Sequence, residues 1–498
     1  MIKAELTSYQ WMKIEGPAAE ISEVKELLKV VDSSAKFSRV FQRRHWDGVR
    51  KLYIDHGPNA LVTKAGVIDW LGRKLYPKNV EVEFSGKIPK IPREDDWDDL
   101  PLELRDYQRE SVEMVFERQT GLLHLATNAG KTLIAAAVLK GYRFATCLYL
   151  VHRAELFRQS HSYFEKMLGQ EVGKICAGND LNIRNVTVGM IGTVYARMNT
   201  VKEMQDYLED VDVVIVDEAH RAASKMYRKV IEAMRTAAVR VGMSGTFPPE
   251  ESYYGMLLKG NFGETLFRVT NEDLKVLGVS APMRAVVVRG DWYVEGLAEE
   301  GRQLFLKKKD KEKKVFNPET KYWNLAYEKG ILRNKSRTAF ICTITKEIAQ
   351  KKGVLVIVDR IEHGEEIFWS LVEKKSKNKI KYVFADSPER KEALEDFRHG
   401  KIDVLISSPI LDEGIDISGI YYLVLASGGK SKRRLLQRIG RGLRKKTDRR
   451  ELVVFDFYDD SVPLLERHTR ERMSIYKKEG FPIKVCDGDD WKKEVDNG

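Results

Sequence analysis

At 498 residues the chain is too long for one ordinary hydrophobic core, and a division into about three domains is expected. Its 43% hydrophobic and 32% charged residues describe a soluble globular protein, and a net charge of +11, from 85 Lys and Arg against 74 Asp and Glu, admits a polyanionic partner without requiring one. Four scattered cysteines exclude a disulfide framework and a cysteine zinc site, and no apolar run approaches the roughly 20 residues of a membrane span, so a reducing cytoplasm is the expected home.

Residues 1–92 read as a small α/β module. Apolar residues at 21, 24, 27, 28 and 31 mark one face of a helix over 21–31. Between Lys36 and Tyr53, the cations Arg39, Arg43, Arg44, Arg50 and Lys51 interleave with Phe37, Phe41 and Trp46. Such a mixture suits phosphate contact combined with base stacking, with Arg43, Arg44 and Trp46 as candidate nucleic-acid contacts. A hairpin turned at Asp47-Gly48, with its aromatics in a core and its cations solvated, explains the same residues equally well. Residues 87–101 carry three prolines and an acidic cluster, so 93–100 are expected to be a linker and a new domain to start near Pro101.

Next comes an amphipathic helix over 108–116, entered through Arg105 and Gln108, a glutamine whose amide can offer an adenine edge both a donor and an acceptor. The apolar stretch ending at Leu125 then runs into Ala126-Thr127-Asn128-Ala129-Gly130-Lys131-Thr132, where a strand should end in a tight loop and a helix begin at Lys131. Loops of this kind aim backbone N–H groups and a helix dipole at phosphates. Lys131 would reach the β- and γ-phosphates of ATP, and the Thr132 hydroxyl would ligate Mg²⁺. The match to the full phosphate-loop pattern is imperfect, since Leu125 occupies the position of its first glycine and Asn128 must supply a left-handed residue. Alone, it competes with a Gly-Lys-Thr that merely opens a surface helix.

Farther along, a strand over 146–151 delivers Arg153, and one over 186–191 delivers Thr193. The run Val211 to Val216 is apolar enough to be buried on both faces of a parallel sheet, and it ends in Asp217-Glu218-Ala219-His220. Ligands of open α/β sheets sit beyond the carboxyl ends of the strands, so these acids belong beside the phosphate loop. Asp217 can hold Mg²⁺ through water while Glu218 orients and deprotonates an attacking water. Another strand, 240–243, ends at Ser244-Gly245-Thr246. In the second half, strands over 354–359 and 402–408 lead to Ser408 and to Leu411-Asp412-Glu413-Gly414-Ile415-Asp416. Last comes Gln437-Arg438-Ile439-Gly440-Arg441-Gly442-Leu443-Arg444, in which Arg441 and Arg444 can share one helical face and approach a triphosphate as arginine fingers. Lysines between 307 and 314 suit phosphate contact or plain solvation, 463–478 read as a charged helix, and 487–498 as a polar, frayed tail.

In order and spacing these motifs resemble those of superfamily 2 helicases with a DEAH-type second motif. His45-Trp46-Asp47-Gly48, Arg333-Asn334 and the 456–460 strand end resemble, more closely, the UvsW-type recombination and repair helicases of tailed phages. That resemblance implies two recombinase-like parallel α/β motor domains, 101–280 and 337–460, joined by a connector over 281–336 and preceded by the small N-terminal α/β domain, with 461–498 as a C-terminal helix and tail. It implies nucleotide contacts from Arg105, Gln108, the loop Thr127 to Thr132, Gly414 and Asp416. Catalytic roles fall to Lys131, Asp217, Glu218, Gln437, Arg441 and Arg444, and His220, Ser244 and Thr246 would couple the nucleotide to movement. Backbone contacts to nucleic acid would come from Arg153, Thr193 and Ser408. The implied function is an ATP- and Mg²⁺-dependent DNA helicase acting on branched or forked DNA, with RNA–DNA hybrids among its substrates, monomeric in solution and placed in the host cytoplasm if phage-encoded. A duplex translocase without strand separation and an ATP-gated RNA-binding or remodelling module are the competing readings.

Overall fold

A computed structural model describes residues 1–32, 35, 46–178, 181–306, 318–372, 378–384, 387–408, 420–429 and 451–496. Two compact units result, Met1–Val269 and Thr270–Gly498.

The first unit begins with a mixed five-stranded sheet in the order Tyr53–Asp55, Ala60–Lys64, Trp11–Glu15, Ile2–Ser8, Val82–Ser85. Only its last pair is parallel. The helix expected over 21–31 spans Ala18–Leu27, and Lys29–Val31 instead pairs antiparallel with Val49–Lys51. Two adjacent β-branched residues, Val30 and Val31, favour an extended backbone once a partner strand is available, and that pairing overrides the helical spacing.

The rest of the first unit is a seven-stranded, wholly parallel sheet. Its order is Gly173–Ile175, Val186–Met190, Cys147–Val151, Val213–Asp217, Val239–Ser244, Thr120–Leu125, Thr265–Val269. Central strands such as Val213–Asp217 are buried along their whole length, as expected of a parallel sheet covered by helices on both faces. Because every strand runs the same way, the loops leaving their carboxyl ends converge on one edge.

The N-terminal module is welded to this sheet rather than tethered to it. Gln10, buried, donates its amide N–H groups to the carbonyls of Ile231 and Met234 at 2.7 Å each, closing the end of the helix Lys225–Ala233. Lys64 lies 4.0 Å from the Trp11 ring centre and 3.0 Å from Glu232. Met256, from the helix Tyr253–Phe262, packs into the module's own core beside Ile14 and Leu61. Gly66 sits against the Lys259 and Gly260 carbonyls, where a Cβ would not fit.

Residues 93–100, expected as a free linker, are a strap docked on the motor sheet's helices. Trp97 is buried edge-on against Phe116 at 5.4 Å, Arg143 binds Asp96 at 2.6 Å and Glu94 at 3.0 Å, and Arg109 pairs with Asp98. Opposite charges supplied by the neighbouring helices neutralise the acidic run, and Trp97 anchors it.

The second unit holds another seven-stranded parallel sheet, ordered Ile380–Val383, Val404–Ser407, Val354–Ile357, Tyr422–Leu425, Leu452–Phe457, Met283–Arg289, Ile483–Asp487. The two sheets are the tandem recombinase-like domains implied by the motifs. The helix Pro463–Lys478 follows the second sheet's Leu452–Phe457 strand. Through residue 496 the tail is packed, not frayed. Ile483–Asp487 extends the sheet, Trp491 is fully buried, Glu494 binds Arg284 at 2.9 Å, and the Val495 carbonyl accepts from the Tyr422 hydroxyl at 3.0 Å. Trp491 and Val495 are four residues apart, and this apolar pair outweighs the polar composition around it. Among the described residues no helix is long and apolar enough to cross a membrane.

Trp491→Ala is expected to destabilise the second unit by about 3–5 kcal/mol, because it empties a full-sized aromatic site in a closed core. Denaturant unfolding of full-length wild type and variant measures the loss; a change under 1 kcal/mol would mean that the tail contributes little.

Candidate active site

The strand Thr120–Leu125 leaves the sheet into the loop 126–130, and the helix Lys131–Gly141 follows at once. Two left-handed residues make this turn: Asn128 at φ 75° and Gly130 at φ 78°. Asn128 is therefore the stand-in for glycine that the loop required, a role its short polar side chain tolerates. The Ala129 N–H donates to the Ala126 carbonyl at 3.1 Å, and the Ala126 N–H to Val269 at 2.9 Å. Gly130 is the residue before the helix, and no side-chain hydrogen bond caps that helix's N-terminus, the end whose dipole favours an anion.

Gln108 is fully buried beneath this loop. Its Nε2 donates to the Ala129 carbonyl at 2.9 Å, and its Oε1 accepts from the Arg105 N–H at 3.0 Å. The Tyr107 hydroxyl donates to the same Ala129 carbonyl at 3.0 Å. Both ends of the Gln108 amide are thus engaged within the protein, and in this state Gln108 clamps the phosphate loop instead of presenting an adenine contact. The space above Gly130 is closed by the Gln108 amide, so a side chain could not replace that glycine's hydrogen. Arg105 is exposed at the start of the helix Asp106–Arg118.

Two strands away, Val213–Asp217 delivers the acids. Glu218 adopts φ 51°, a left-handed conformation that costs a side chain of its size free energy, and its N–H donates to Asp217 Oδ1 at 2.9 Å. The turn swings the Glu218 carboxylate to 3.5 Å from Lys131 Nζ and 3.2 Å from His220 Nδ1. Burial pushes the Asp217 carboxyl up, and the adjacent Glu218 charge adds to this, so that it titrates at about 6. Burial acts on Glu218 in the same direction, but Lys131 and His220 outweigh it and hold Glu218 well below the usual carboxylate range. One acid is thus poised to change protonation near neutral pH while its neighbour stays ionised.

Between these strands lies Val239–Ser244. His220 Nδ1 is 2.9 Å from Ser244 Oγ, and Ser244 Oγ donates to the Thr246 carbonyl at 2.9 Å. With the Ser244 proton engaged there, His220 must carry its own proton on Nδ1 and donate. Sequence reasoning passed over His124, which pairs in register with Ser244 across the sheet and lies with Nε2 3.2 Å from the Gly245 carbonyl. A carbonyl only accepts, so Nε2 of His124 bears a proton. The signal was a histidine within the apolar run Leu122 to Leu125.

Arg153 is exposed, immediately before the helix Ala154–Leu168. Thr193 lies in the first turn of Ile191–Arg197, because that helix starts as soon as its strand ends. Both leave neighbouring strands on the same sheet edge as the phosphate loop, on the side away from Thr120–Leu125. Ser408 closes the strand Val404–Ser407 in the second unit; it is buried, so its hydroxyl is not a surface contact. Trp46 donates its indole N–H to the Val49 carbonyl at 2.8 Å. Arg43, Arg44, Gly414, Asp416, Gln437, Arg441, Arg444 and the lysines of 307–314 lie outside the described residues.

The donor set fits a magnesium-bound triphosphate. Around Gly245 the Leu125 carbonyl, Lys131 Nζ and the Thr127 N–H lie 3.2, 3.7 and 3.7 Å from where a Cβ would stand. Among the described residues no group of three His, Cys or carboxylate side chains could hold a metal by itself, so a cation here would need the nucleotide's own oxygens, as Mg²⁺ ordinarily does.

Residues 101–249 match the family model described as the res subunit of type III restriction enzymes, and residues 336–446 match the helicase conserved C-terminal domain. Putative helicase 22 of Sulfolobus islandicus filamentous virus is 26% identical over 71% of this chain, which covers 64% of that relative's length. The ATP-dependent DNA helicase uvsW of Enterobacteria phage T4 is 23% identical over 92% of this chain and 91% of its own. A solved fragment of a putative HsdR subunit of a type I restriction enzyme from Vibrio vulnificus shares the fold, with a TM-score of 0.53, 19% identity, and coverage of 77% of this chain and 68% of that one. The paired domains and the two matches make the chain an enzyme of the helicase class, in superfamily 2. Within that class it resembles UvsW.

Gln108→Ala removes the hydrogen bond that ties the phosphate loop at the Ala129 carbonyl and is expected to raise the KM for ATP by about tenfold, the equivalent of ~1.4 kcal/mol. Steady-state hydrolysis measures it; an unchanged KM would show that the loop holds its form without the clamp. Protonated Asp217 cannot hold a cation, so Mg²⁺-dependent binding of a fluorescent ATP analogue should weaken as pH falls through about 6, the value to which burial and Glu218 raise this acid. Equal affinity at pH 7.5 and 5 would remove Asp217 from the site.

Proposed function

We propose that this protein is an ATP-driven DNA helicase or translocase that acts on branched DNA, including forks, junctions and displaced-strand loops. The observation that carries the ATPase part is the convergence of Lys131, Glu218, His220 and Ser244 on one sheet edge beside an anion-ready loop. The relative named as an ATP-dependent DNA helicase, matched over almost its whole length, supports DNA as the substrate. The welded N-terminal module supports a branched substrate, because it fixes a second surface relative to the first motor sheet.

In this reading Lys131 and the N–H groups of the loop bind the β- and γ-phosphates, and Glu218 orients the attacking water and accepts its proton. Thr132 and Asp217 would hold Mg²⁺, which supplies charge neutralisation at the phosphates when bound. Lys131 lies against Glu218 when no phosphate draws it away, and a triphosphate would compete for its charge. Losing that cation raises the basicity of Glu218 as the water needs a base. His220 and Ser244 link Glu218 to Thr246, so a change at the acid reaches the segment after Ser244-Gly245-Thr246. Gln437, Arg441 and Arg444, with Gly414 and Asp416, are assigned to the nucleotide by their motifs alone and lie outside the described residues. Arg153 and Thr193 track the nucleic-acid backbone; Ser408 is buried, with its N–H donated to the Val383 carbonyl and its carbonyl accepting from the Ser407 hydroxyl.

A duplex translocase that does not separate strands is the second reading, favoured by the match of 101–249 to a restriction-enzyme subunit. Strand displacement on a forked substrate separates the two.

Lys131→Ala should lower nucleic-acid-stimulated ATP hydrolysis by at least about 100-fold, by removing a charge that acts on the leaving phosphate. Stimulation of the wild type by matched single strand, duplex, fork, Holliday junction and RNA tests the substrate, with fork and junction expected to be strongest. Stimulation by RNA alone would overturn the DNA assignment, and near-normal turnover by the variant would overturn the site.

A further inference from the structure

The segment that follows Ser244-Gly245-Thr246 does not return directly to the sheet. It passes through Pro248 and Pro249 to Ser252, whose hydroxyl donates to the Pro249 carbonyl at 2.6 Å and accepts from the Gly255 N–H at 3.1 Å. Gly255 is pressed against the Pro249 and Glu250 carbonyls, a fit that only glycine allows. This fixes the first residues of the helix Tyr253–Phe262, and Met256 locks the same helix into the N-terminal module. Tyr253 and Tyr254 are thus held rigidly at the seam.

Across the seam stands the strand Val49–Lys51. The Arg50 guanidinium lies 4.1 Å from the centre of the Trp46 ring and 5.5 Å from that of Tyr253. Tyr253 and Tyr254 follow with ring centres 5.5 Å apart and planes inclined at 58°. The result is a cluster of four planar groups, Trp46, Arg50, Tyr253 and Tyr254, from two parts of the chain about 200 residues apart in sequence. Its outer end is open: Tyr254 is 46% exposed, and the Arg50 side chain 45%. Nearby carboxylates are neutralised, Glu251 by Lys74 at 2.7 Å, Glu250 by Lys259 at 3.8 Å and Asp32 by Arg50 itself at 3.2 Å. A polyanion approaching this surface meets no uncompensated acid among these.

We propose that Trp46, Arg50, Tyr253 and Tyr254 form a stacking ladder for unpaired DNA bases, with Tyr254 as the platform on which the first base lands. The proposal rests on the reading of the chain as a DNA motor and names where that motor receives the unpaired strand of a branched substrate. Aromatic faces bind any base, and an arginine beside them adds cation–π attraction, so the cluster binds without sequence preference. Its position gives it a second property. The tyrosines begin the helix reached directly from Ser244-Gly245-Thr246, so a stacked base and the nucleotide-linked serine share one short, rigid connection.

The test uses the full-length protein and a DNA fork carrying 2-aminopurine at its first unpaired position. Wild type should quench the probe on binding. Tyr254→Ala should abolish the quenching and weaken fork binding by about five- to tenfold, while Tyr254→Phe, which keeps the ring, should restore both. Quenching by Tyr254→Ala equal to wild type would overturn the ladder, as would failure of Tyr254→Phe to rescue. A wild type that binds no fork at all would overturn the DNA-motor reading along with it, so the two failures are distinguishable.

Discussion

The site depends on keeping Glu218 ionised inside the protein. A carboxylate removed from water ordinarily takes up a proton, and Asp217 beside it is pushed that way. Glu218 escapes because its left-handed backbone turns the side chain between Lys131 and His220. The strain at Glu218 is thus the cost of placing an ionised carboxylate there, and the Lys131 ammonium and the His220 N–H offset it. While Lys131 pairs with Glu218, the acid is a poor proton acceptor.

That electrostatic arrangement needs a frame that does not give. The parallel sheet supplies one by register: His124 stands opposite Ser244, and the residues after each are the phosphate loop and the Gly245-Thr246 turn. The protonated Nε2 of His124 and the Gly245 carbonyl tie the two loops together where the strands end. The N-terminal module extends the frame. Gln10, Lys64, Gly66 and Met256 are polar, charged, compact and apolar contacts on one seam, and they leave no hinge between the module and the first motor sheet. The module is therefore held at a fixed distance from the loop that follows Ser244.

Much of this was legible before any coordinates. Strand ends are the most readable feature of a parallel α/β sheet, because each buried strand is a short apolar run and the residues after it must face the ligand. Asp217, Glu218, Ser244 and the loop at Lys131 are strand-end positions of this kind in the sequence, and Asn128 adopts the left-handed backbone expected there in place of a glycine. What escaped was whatever depended on a partner distant in sequence. Residues 93–100 look like a linker until Arg109 and Arg143 are seen to meet their acids. The tail looks frayed until Trp491 finds its cavity, and the 21–31 helix looks continuous until Val49–Lys51 offers Val30 and Val31 a strand to pair with. Gln108 shows the subtler case: its chemistry was recognised, but both functions of its amide are satisfied by backbone groups that spacing alone could not identify.

The second unit carries a polar core of its own, and its placement has a structural logic. Arg337, fully buried, binds Asp459 at 2.7 Å and the Ala426 carbonyl at 2.8 Å. Arg472 grips Asp456 through two nitrogens at 2.9 and 3.0 Å, and gives a third to the Gly429 carbonyl at 2.9 Å. Tyr476 completes the Asp456 shell at 2.8 Å. Buried ion pairs add little net stability, because the cost of removing both charges from water consumes most of their attraction. Their value lies in direction: a planar guanidinium fixed by a carboxylate can hold a carbonyl in only one place. Here the two carbonyls belong to the stretch 426–429, through which the chain leaves the strand Tyr422–Leu425 toward Gln437, Arg441 and Arg444. Two buried arginines thus fix where the chain departs from the strand Tyr422–Leu425.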